Sequence, residues 1–291
     1  MRLVVISGRS GSGKSSALHV LEDLGFYCID NLPIGLLPAL ASQADANDKL
    51  TRVAVSIDAR NLSATEEPIE KLLLDLPNDH YQLDVVYLDA SEKVLLQRFS
   101  ATRRKHPLTT SKLSLAEAID QEKDLLDPLA NMADLTLDTT HMSVHELRSM
   151  IRLRVADRPN GEMSILFESF GFKHGIPTDA DYVFDVRHLP NPYWSEDLRK
   201  LTGLDSEVQL FLNSYDVVGE MRKSISDFLG QWTDRLIEAN RSYMTIAIGC
   251  TGGQHRSVYL AEQLATEYRM KYPNVQVRHR ELARAANLPT P

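Results

Sequence analysis

Apolar and polar positions along this chain follow two alternating patterns. Short apolar runs stand at Leu3–Ile6, Phe26–Ile29, Val53–Ile57 and Val85–Leu88, with a weaker one at Leu135–Leu137. Between them apolar residues recur at helical spacing, at positions 17, 18, 20, 21 and 24, then over Glu92–Phe99, Leu115–Leu129 and Val144–Val155. Strands separated by helices need crossover connections, so the pattern predicts a mainly parallel sheet covered on both faces. Asp157-Arg158-Pro159-Asn160-Gly161 interrupts it, because Pro and Gly this close together favour a turn or linker. The pattern then restarts, with strands at Ser164–Phe167, Asp181–Val186, Tyr243–Ile248 and Val275–Val277 and helices at Val217–Ala239 and Ser257–Tyr268. The expected architecture is α/β throughout, in two domains over residues 1–156 and 162–291, without an internal repeat.

Composition supports this and narrows the setting. The 291 residues are 43% hydrophobic and 25% charged, enough for packed cores and against wholesale disorder. The two cysteines, Cys28 and Cys250, cannot build a disulfide framework, which points to a reducing, cytoplasmic location. No apolar run is long enough to cross a bilayer and no secretory leader is expected, so no membrane partner is expected. The net charge of −8 argues against a surface coated in positive charge for nucleic acid, though not against a local patch.

The first chemical motif is Gly8-Arg9-Ser10-Gly11-Ser12-Gly13-Lys14-Ser15, which matches G-x-x-x-x-G-K-[ST] between a predicted strand and a predicted helix. Glycines let the backbone curl so that N–H groups converge, and the helix turns its positive end to the same point. Lys14 can reach the β- and γ-phosphates, and the Ser15 hydroxyl can ligate Mg²⁺. The competing reading is a Gly/Ser-rich turn without a ligand. The motif predicts that the first domain is a P-loop kinase-like parallel sheet for a nucleoside triphosphate with Mg²⁺. Such a site needs an acid at a strand end. Asp30, Asp58 and Asp89 all follow strands, at the sheet edge where ligands collect, and Asp58 is the preferred metal acid beside Ser15. Arg98, Arg103, Arg104 and Lys105 read as a mobile basic lid or as a solvated helix end. No Asn-Lys-x-Asp guanine motif is present.

A second Gly-rich turn, Gly249-Cys250-Thr251-Gly252-Gly253-Gln254-His255-Arg256-Ser257, joins a strand to a helix. It also matches C-x₅-R-[ST], the loop in which cysteine phosphatases use a thiolate to attack phosphorus and an Arg to clamp its oxygens. Three readings stand: a catalytic phosphatase, a non-catalytic phosphate pocket and a structural turn. The pocket is favoured, since no general-acid Asp stands on a recognisable loop. Ser169–Gly175, which holds His174, and Asp185–Tyr193 also end strands and can share that pocket. The expected phosphate ligands are Cys250, Thr251, Gly252, Gly253, Arg256, His174 and Asp185. Beyond the helix, Arg269, Lys271, Arg278, Arg280 and Arg284 face one acid, Glu281, and form the candidate RNA-binding stretch.

Gly8–Ser15, Phe26–Pro33, Thr102–Leu108, Ser169–Gly175, Asp185–Pro192 and Gly249–Ser257, in that order, resemble the RapZ/YvcJ family over essentially the whole chain. The resemblance implies a bacterial cytoplasmic protein that binds and hydrolyses ATP and GTP. It implies that Asp58-Ala59-Arg60-Asn61 is the family's D-x-R-N segment, a GTP-binding element. It further implies, for the RapZ branch, an oligomeric RNase adapter that presents a small regulatory RNA to RNase E and senses glucosamine-6-phosphate through its C-terminal domain. Two departures stand out. The family's dense basic tail is diluted here to Arg278-His279-Arg280 and Arg284, and Tyr193 stands where some relatives carry His. The leading expectation is a regulatory nucleotide-binding protein with slow ATP and GTP hydrolysis. The alternatives are an RNA-binding adapter and a small-molecule kinase.

Overall fold

Leu3, Val4, Val5 and Ile6 are completely buried, as a strand covered on both faces requires. They lie in β1 (Arg2–Gly8), the central strand of a five-stranded sheet ordered β2-β3-β1-β4-β5, with every pair parallel. The other strands are β2 (Tyr27–Ile29), β3 (Arg52–Ser56), β4 (Gln82–Asp89) and β5 (Leu135–Asp138). The crossovers carry α1 (Lys14–Asp23), α2 (Leu37–Asp45), α3 (Ala59–Leu62), α4 (Ile69–Leu74), α5 (Glu92–Thr102), α6 (Leu115–Asn131) and α7 (Val144–Met150). The computed structural model describes residues 1–45, 50–62, 69–74, 82–102, 105–109, 113–158 and 162–282. The chain forms two units, Met1–Gly161 and Glu162–Pro291.

One face of the first sheet presents Leu3, Val5, Val53, Val55, Val85 and Tyr87, alternate residues on neighbouring strands, to Leu37, Leu72, Leu126 and Leu129 of α2, α4 and α6. Helix α6 starts on a capping box in which Ser114 accepts from the Glu117 N–H and Glu117 accepts from the Ser114 N–H. The amphipathic pattern read as one helix over Val144–Val155 divides. α7 ends at Met150 and a π-helical turn continues through Ile151–Ala156. A π-turn inserts a residue into the helical period, which a 3.6-residue pattern does not register. Asp157 and Arg158 lie within the first unit, and Pro159–Gly161 lie outside the described residues. Arg158 and Arg2 both pair with the fully buried Asp84, which anchors the chain just before that turn.

The second unit holds β6 (Ser164–Gly171), β7 (Tyr182–Asp185), α8 (Ser206–Asn213), α9 (Asp216–Glu238), β8 (Tyr243–Cys250), α10 (Arg256–Arg269) and β9 (Val275–His279). Its sheet is also all parallel, ordered β7-β8-β6-β9. Ile165, Phe167, Ile246 and Ile248 pack against Val218, Ile225 and Leu229 of α9 and Leu260 and Leu264 of α10. Gly171 pairs with Cys250, and Asp185 with Gly249, so three strands end side by side. Among the described residues no helix is long and apolar enough to cross a membrane.

Candidate functional site

At the end of β1 the chain curls through Gly8, Gly11 and Gly13, whose φ values are 137°, 88° and 113°. A Cβ at Gly8 would lie 2.0 Å from the Leu88 carbonyl oxygen of β4, so both conformation and space demand glycine there. Gly13 is the left-handed N-cap of α1, and no side chain caps that helix start. Its first N–H groups therefore face the loop's concave side without a side-chain acceptor. Lys14, half-buried, donates to the Gly8 carbonyl at 2.6 Å. Burial holds its pKa below the ordinary lysine value, against the opposing pull of Asp58, Glu122 and Asp30.

The loop opens into a cavity of about 870 Å³ lined by Ser10–Ser16, Asp30, Asn31, Ser56, Asp58, Arg60, Arg98, Lys105, Thr139 and Met142 among others. That volume suits a nucleotide-sized ligand. Asp58 is 8% exposed. Its Oδ2 accepts from Arg60 at 2.9 Å, while Oδ1 is buried without a hydrogen-bond partner among the described residues. An orphaned carboxylate oxygen is costly and is relieved by a cation. Asp58 and Ser15 thus fit Mg²⁺, which takes few protein oxygens and fills its octahedron with water and phosphate. Among the described residues no group of three His, Cys, Asp or Glu forms a metal cluster.

Three acids were open candidates for the strand-end position. Asp30 and Asp58 line the cavity. Asp89 does not: it accepts from the Arg9 Nε at 2.6 Å, and Arg9 also donates to the Ala90 carbonyl. The side chain of Arg9, a residue expected among the nucleotide ligands, braces the loop against the end of β4. Ala59 and Asn61, also expected among the nucleotide ligands, do not line the cavity. Ala59 is buried, and the Asn61 Nδ2 donates to the Asn31 Oδ1 and the Leu32 carbonyl, each at 3.1 Å. Of the D-x-R-N segment, Asp58 and Arg60 reach the cavity, and it is the cavity of the P-loop.

Sequence reasoning missed the residues that hold this loop. Glu122, fully buried on α6, accepts from both the Ser10 N–H (2.8 Å) and the Ser10 hydroxyl (2.6 Å), and its other contact is His106 Nε2 at 3.1 Å. Arg98 donates to the Gly11 carbonyl at 2.9 Å and to the Thr139 carbonyl at 2.7 Å. Desolvation lowers the Arg98 pKa. The basic-lid reading therefore loses Arg98, which is part of the scaffold. Arg103 and Arg104 lie outside the described residues, and Lys105 lines the cavity.

In the second unit, Cys250 ends β8 and is 2% exposed. Its Sγ accepts from the Gly253 N–H at 3.2 Å and lies 3.1 Å from the Ser257 Oγ. Burial alone would raise this thiol. The hydrogen bonds of Ser257 and Gly253, with the Arg256 charge, outweigh it and hold the thiol below its ordinary value. Arg256 donates to the Leu189 carbonyl at 3.0 Å, to the Arg187 carbonyl, and to the Thr251 hydroxyl at 3.4 Å. Its Nε is buried without a partner among the described residues. It thereby clamps the Asp185–Tyr193 segment to the Cys250 loop.

Asp185 and His174 fit an anion less well than expected. The Asp185 carboxylate takes three contacts from the Arg187 side chain, which hold its pKa below the ordinary value. His174 faces Glu281 at 3.5 Å. Lys173, by contrast, has its N–H on the Thr251 carbonyl and its ammonium beside Gly252. The cations of the basic stretch divide between paired and exposed positions. Arg278 donates to the buried Glu168 at 3.0 Å, and Arg280, 8% exposed, pairs with Glu281 at 3.1 Å. Arg269 and Lys271 are exposed, and Arg284 lies outside the described residues. Counting charges along the chain missed Glu168, which β6 brings opposite Arg278.

Comparison with known proteins agrees across both units. Residues 1–158 match the RapZ-like N-terminal domain, and residues 163–283 match the RapZ C-terminal domain. A nucleotide-binding protein of Marinobacter nauticus is 58% identical over 97% of both chains. One of Pseudomonas putida is 56% identical over 97% of this chain and 100% of its own. Among solved structures, shikimate kinase from Bacteroides thetaiotaomicron is 15% identical, covering 52% of this chain and 94% of its own with a TM-score of 0.37. With its two halves matched in order and its relatives alike along their whole length, the chain belongs to the RapZ family.

Proposed function

We propose that the first unit binds ATP or GTP with Mg²⁺ on the Gly8–Ser15 loop and hydrolyses it slowly, as the nucleotide-responsive part of a regulatory protein. The observation that carries this reading is one cavity holding a glycine-curled loop at a helix start, the Lys14 ammonium and the orphaned Asp58 Oδ1. Loop N–H groups and Lys14 hold the phosphate oxygens and stabilise charge as it develops on them. When bound, Mg²⁺ neutralises phosphate charge, and Ser15 and Asp58 hold it. Because Asp58 and Arg60 share the P-loop's cavity, ATP and GTP compete for a single site. The nucleotide-binding names of the close relatives favour the same reading. Titration calorimetry tests it: each nucleotide binds once, and saturation with one abolishes the heat of the other. Independent binding of both, or of neither, refutes it.

A second reading concerns the second unit. The Cys250 loop, with Gly253 at φ 72° and two neighbouring strand ends, is a non-catalytic pocket for a sugar phosphate, of which family membership makes glucosamine-6-phosphate the candidate. The adapter role, with a small RNA, RNase E and a homo-oligomer, is the further part of this second reading, and family membership is what supports it. Of its basic stretch, Arg269 and Lys271 are the exposed cations among the described residues. Calorimetry with glucosamine-6-phosphate and gel mobility of small RNAs test the two parts separately.

A further inference from the structure

We propose that the flank of the P-loop cavity formed by Asp30, Ser56 and Arg60 is a phosphoryl-acceptor site, at which the first unit transfers the γ-phosphoryl group to a hydroxyl of a small anionic polyol or hydroxy acid. This rests on the nucleotide reading above and extends it. The P-loop leaves the central strand β1, so the strand order divides its cavity in two. On the side of β4 and β5 stand Phe99, Met142 and Val144, apolar surfaces that suit the face of a base. On the side of β2 and β3 the lining is Asp30, Asn31, Ser56, Asp58 and Arg60, with no aromatic or large apolar side chain among the described residues. A nucleotide with its triphosphate on the loop and its base toward β5 leaves the polar flank to a second ligand. A cation, carboxylates and a hydroxyl there match a small molecule bearing both hydroxyl and anionic groups.

Asp30 is held for a role at this point. Its Oδ1 accepts from the Ser56 hydroxyl, and the same Ser56 oxygen accepts from the Asn31 N–H at 2.7 Å. Ser56 is 1% exposed, so a buried hydroxyl fixes one oxygen of the exposed Asp30 carboxylate. Asn31 takes a left-handed φ of 58°, which turns the chain away directly after Asp30. Asp30 lines the same cavity as Lys14, the residue that reaches the terminal phosphates. The carboxylate therefore belongs to the chamber into which the loop would present the γ-phosphoryl group.

In the transfer, the acceptor oxygen bonds to the γ-phosphorus as the bond from that phosphorus to the β,γ-bridging oxygen breaks. The nucleoside diphosphate leaves with that electron pair, and the acceptor's proton passes to the Asp30 carboxylate. Arg60, on α3 and bonded to Asp58, holds the acceptor's anionic group.

The test uses the full chain with ATP and Mg²⁺. Gluconate, glycerate and glucose 6-phosphate are the anionic acceptors, with glucose and glycerol as uncharged controls. ADP release is timed, phosphorus NMR resolves the products, and calorimetry measures ATP affinity. An anionic acceptor is expected to speed ADP release roughly tenfold or more over buffer and to give an equal amount of phosphate ester. Asp30→Asn is expected to lower transfer about 100-fold while ATP affinity stays within about twofold. Ser56→Ala, which frees the carboxylate without removing it, lowers kcat for transfer, and Arg60→Ala raises the acceptor KM. ATP binding with inorganic phosphate as the sole product in every mixture overturns the acceptor site and leaves the nucleotide reading intact. Absence of ATP binding overturns that reading and the acceptor site with it. Equal transfer to charged and uncharged acceptors overturns the role of Arg60.

Discussion

Replacing Lys14 by Ala removes the one ammonium that the P-loop presents to a triphosphate. A charge-assisted hydrogen bond contributes about 1.5–3 kcal/mol, which corresponds to a rise in Kd of about 10- to 150-fold. The structure places the expectation toward the lower half of that range. The Lys14 Nζ already donates to the Gly8 carbonyl at 2.6 Å, so binding a phosphate exchanges one acceptor for another. The Ala variant leaves that carbonyl without this donor, at a cost of about 1 kcal/mol, or about 2–4 °C in Tm for a unit of this size. A second signature comes from charge. Burial holds the Lys14 pKa below its ordinary value, so the ammonium loses its proton earlier on the alkaline side than an exposed lysine. Nucleotide affinity of the parent protein therefore falls as pH rises through that range, and the Ala variant lacks this fall. Calorimetry with ATP and GTP at neutral and alkaline pH, paired with thermal melting, reads all three quantities. Parental affinity for both nucleotides in a variant that melts like the parent refutes the phosphate role of the loop.

Further outcomes follow from the same geometry. Glu122→Ala strands the Ser10 N–H, the Ser10 hydroxyl and His106, and is expected to lose on the order of 3 kcal/mol in urea unfolding of the first unit, with Glu122→Gln losing less. Gly8→Ala forces a Cβ to within 2.0 Å of the Leu88 oxygen, and is expected to abolish nucleotide binding measured by calorimetry even where circular dichroism shows folded protein. In the second unit the Cys250 thiolate would repel a bound phosphate. Sugar-phosphate affinity is therefore expected to fall as pH rises through the thiol's lowered pKa, a fall that calorimetry should find absent in Cys250→Ser. Arg278→Ala removes the cation paired with the buried Glu168 and should lower the Tm of the second unit, whereas Arg269→Ala with Lys271→Ala, at exposed positions, should lower it less. If those two exposed cations contact RNA phosphates, the double variant also flattens the log–log salt dependence of RNA binding by up to about 0.7 per cation.

Much of the molecule was legible where the physics is local. A strand buried on both faces has to be apolar at successive positions, and Leu3–Ile6 reads that way. A loop with φ above zero at three positions needs glycine at each, and Gly8, Gly11 and Gly13 stand in register with Lys14 and Ser15. The same holds for the turn after Cys250, because strand, glycines and helix start are neighbours in the chain. Even the Asp30 and Asp58 candidates follow from the rule that parallel strands deliver their ends to one edge.

What the chain could not disclose is which distant groups meet. Asp58 and Asp89 are equivalent strand-end acids in sequence. Arg9 takes Asp89, 80 residues away, and so leaves Asp58 to the cavity. Glu122 lies 112 residues from Ser10 on an otherwise ordinary amphipathic helix, and nothing in its neighbours marks it as the support of the P-loop. Arg278 and Arg280 look like free cations until β9 pairs with β6 and brings Glu168, 110 residues away, to Arg278, while Arg280 is buried beside Glu281. Periodicity reports which face of an element is buried, since that follows from the geometry of one helix or strand. Charge partners and cavity walls depend on sheet register and crossover packing, which bring together residues that no local pattern relates.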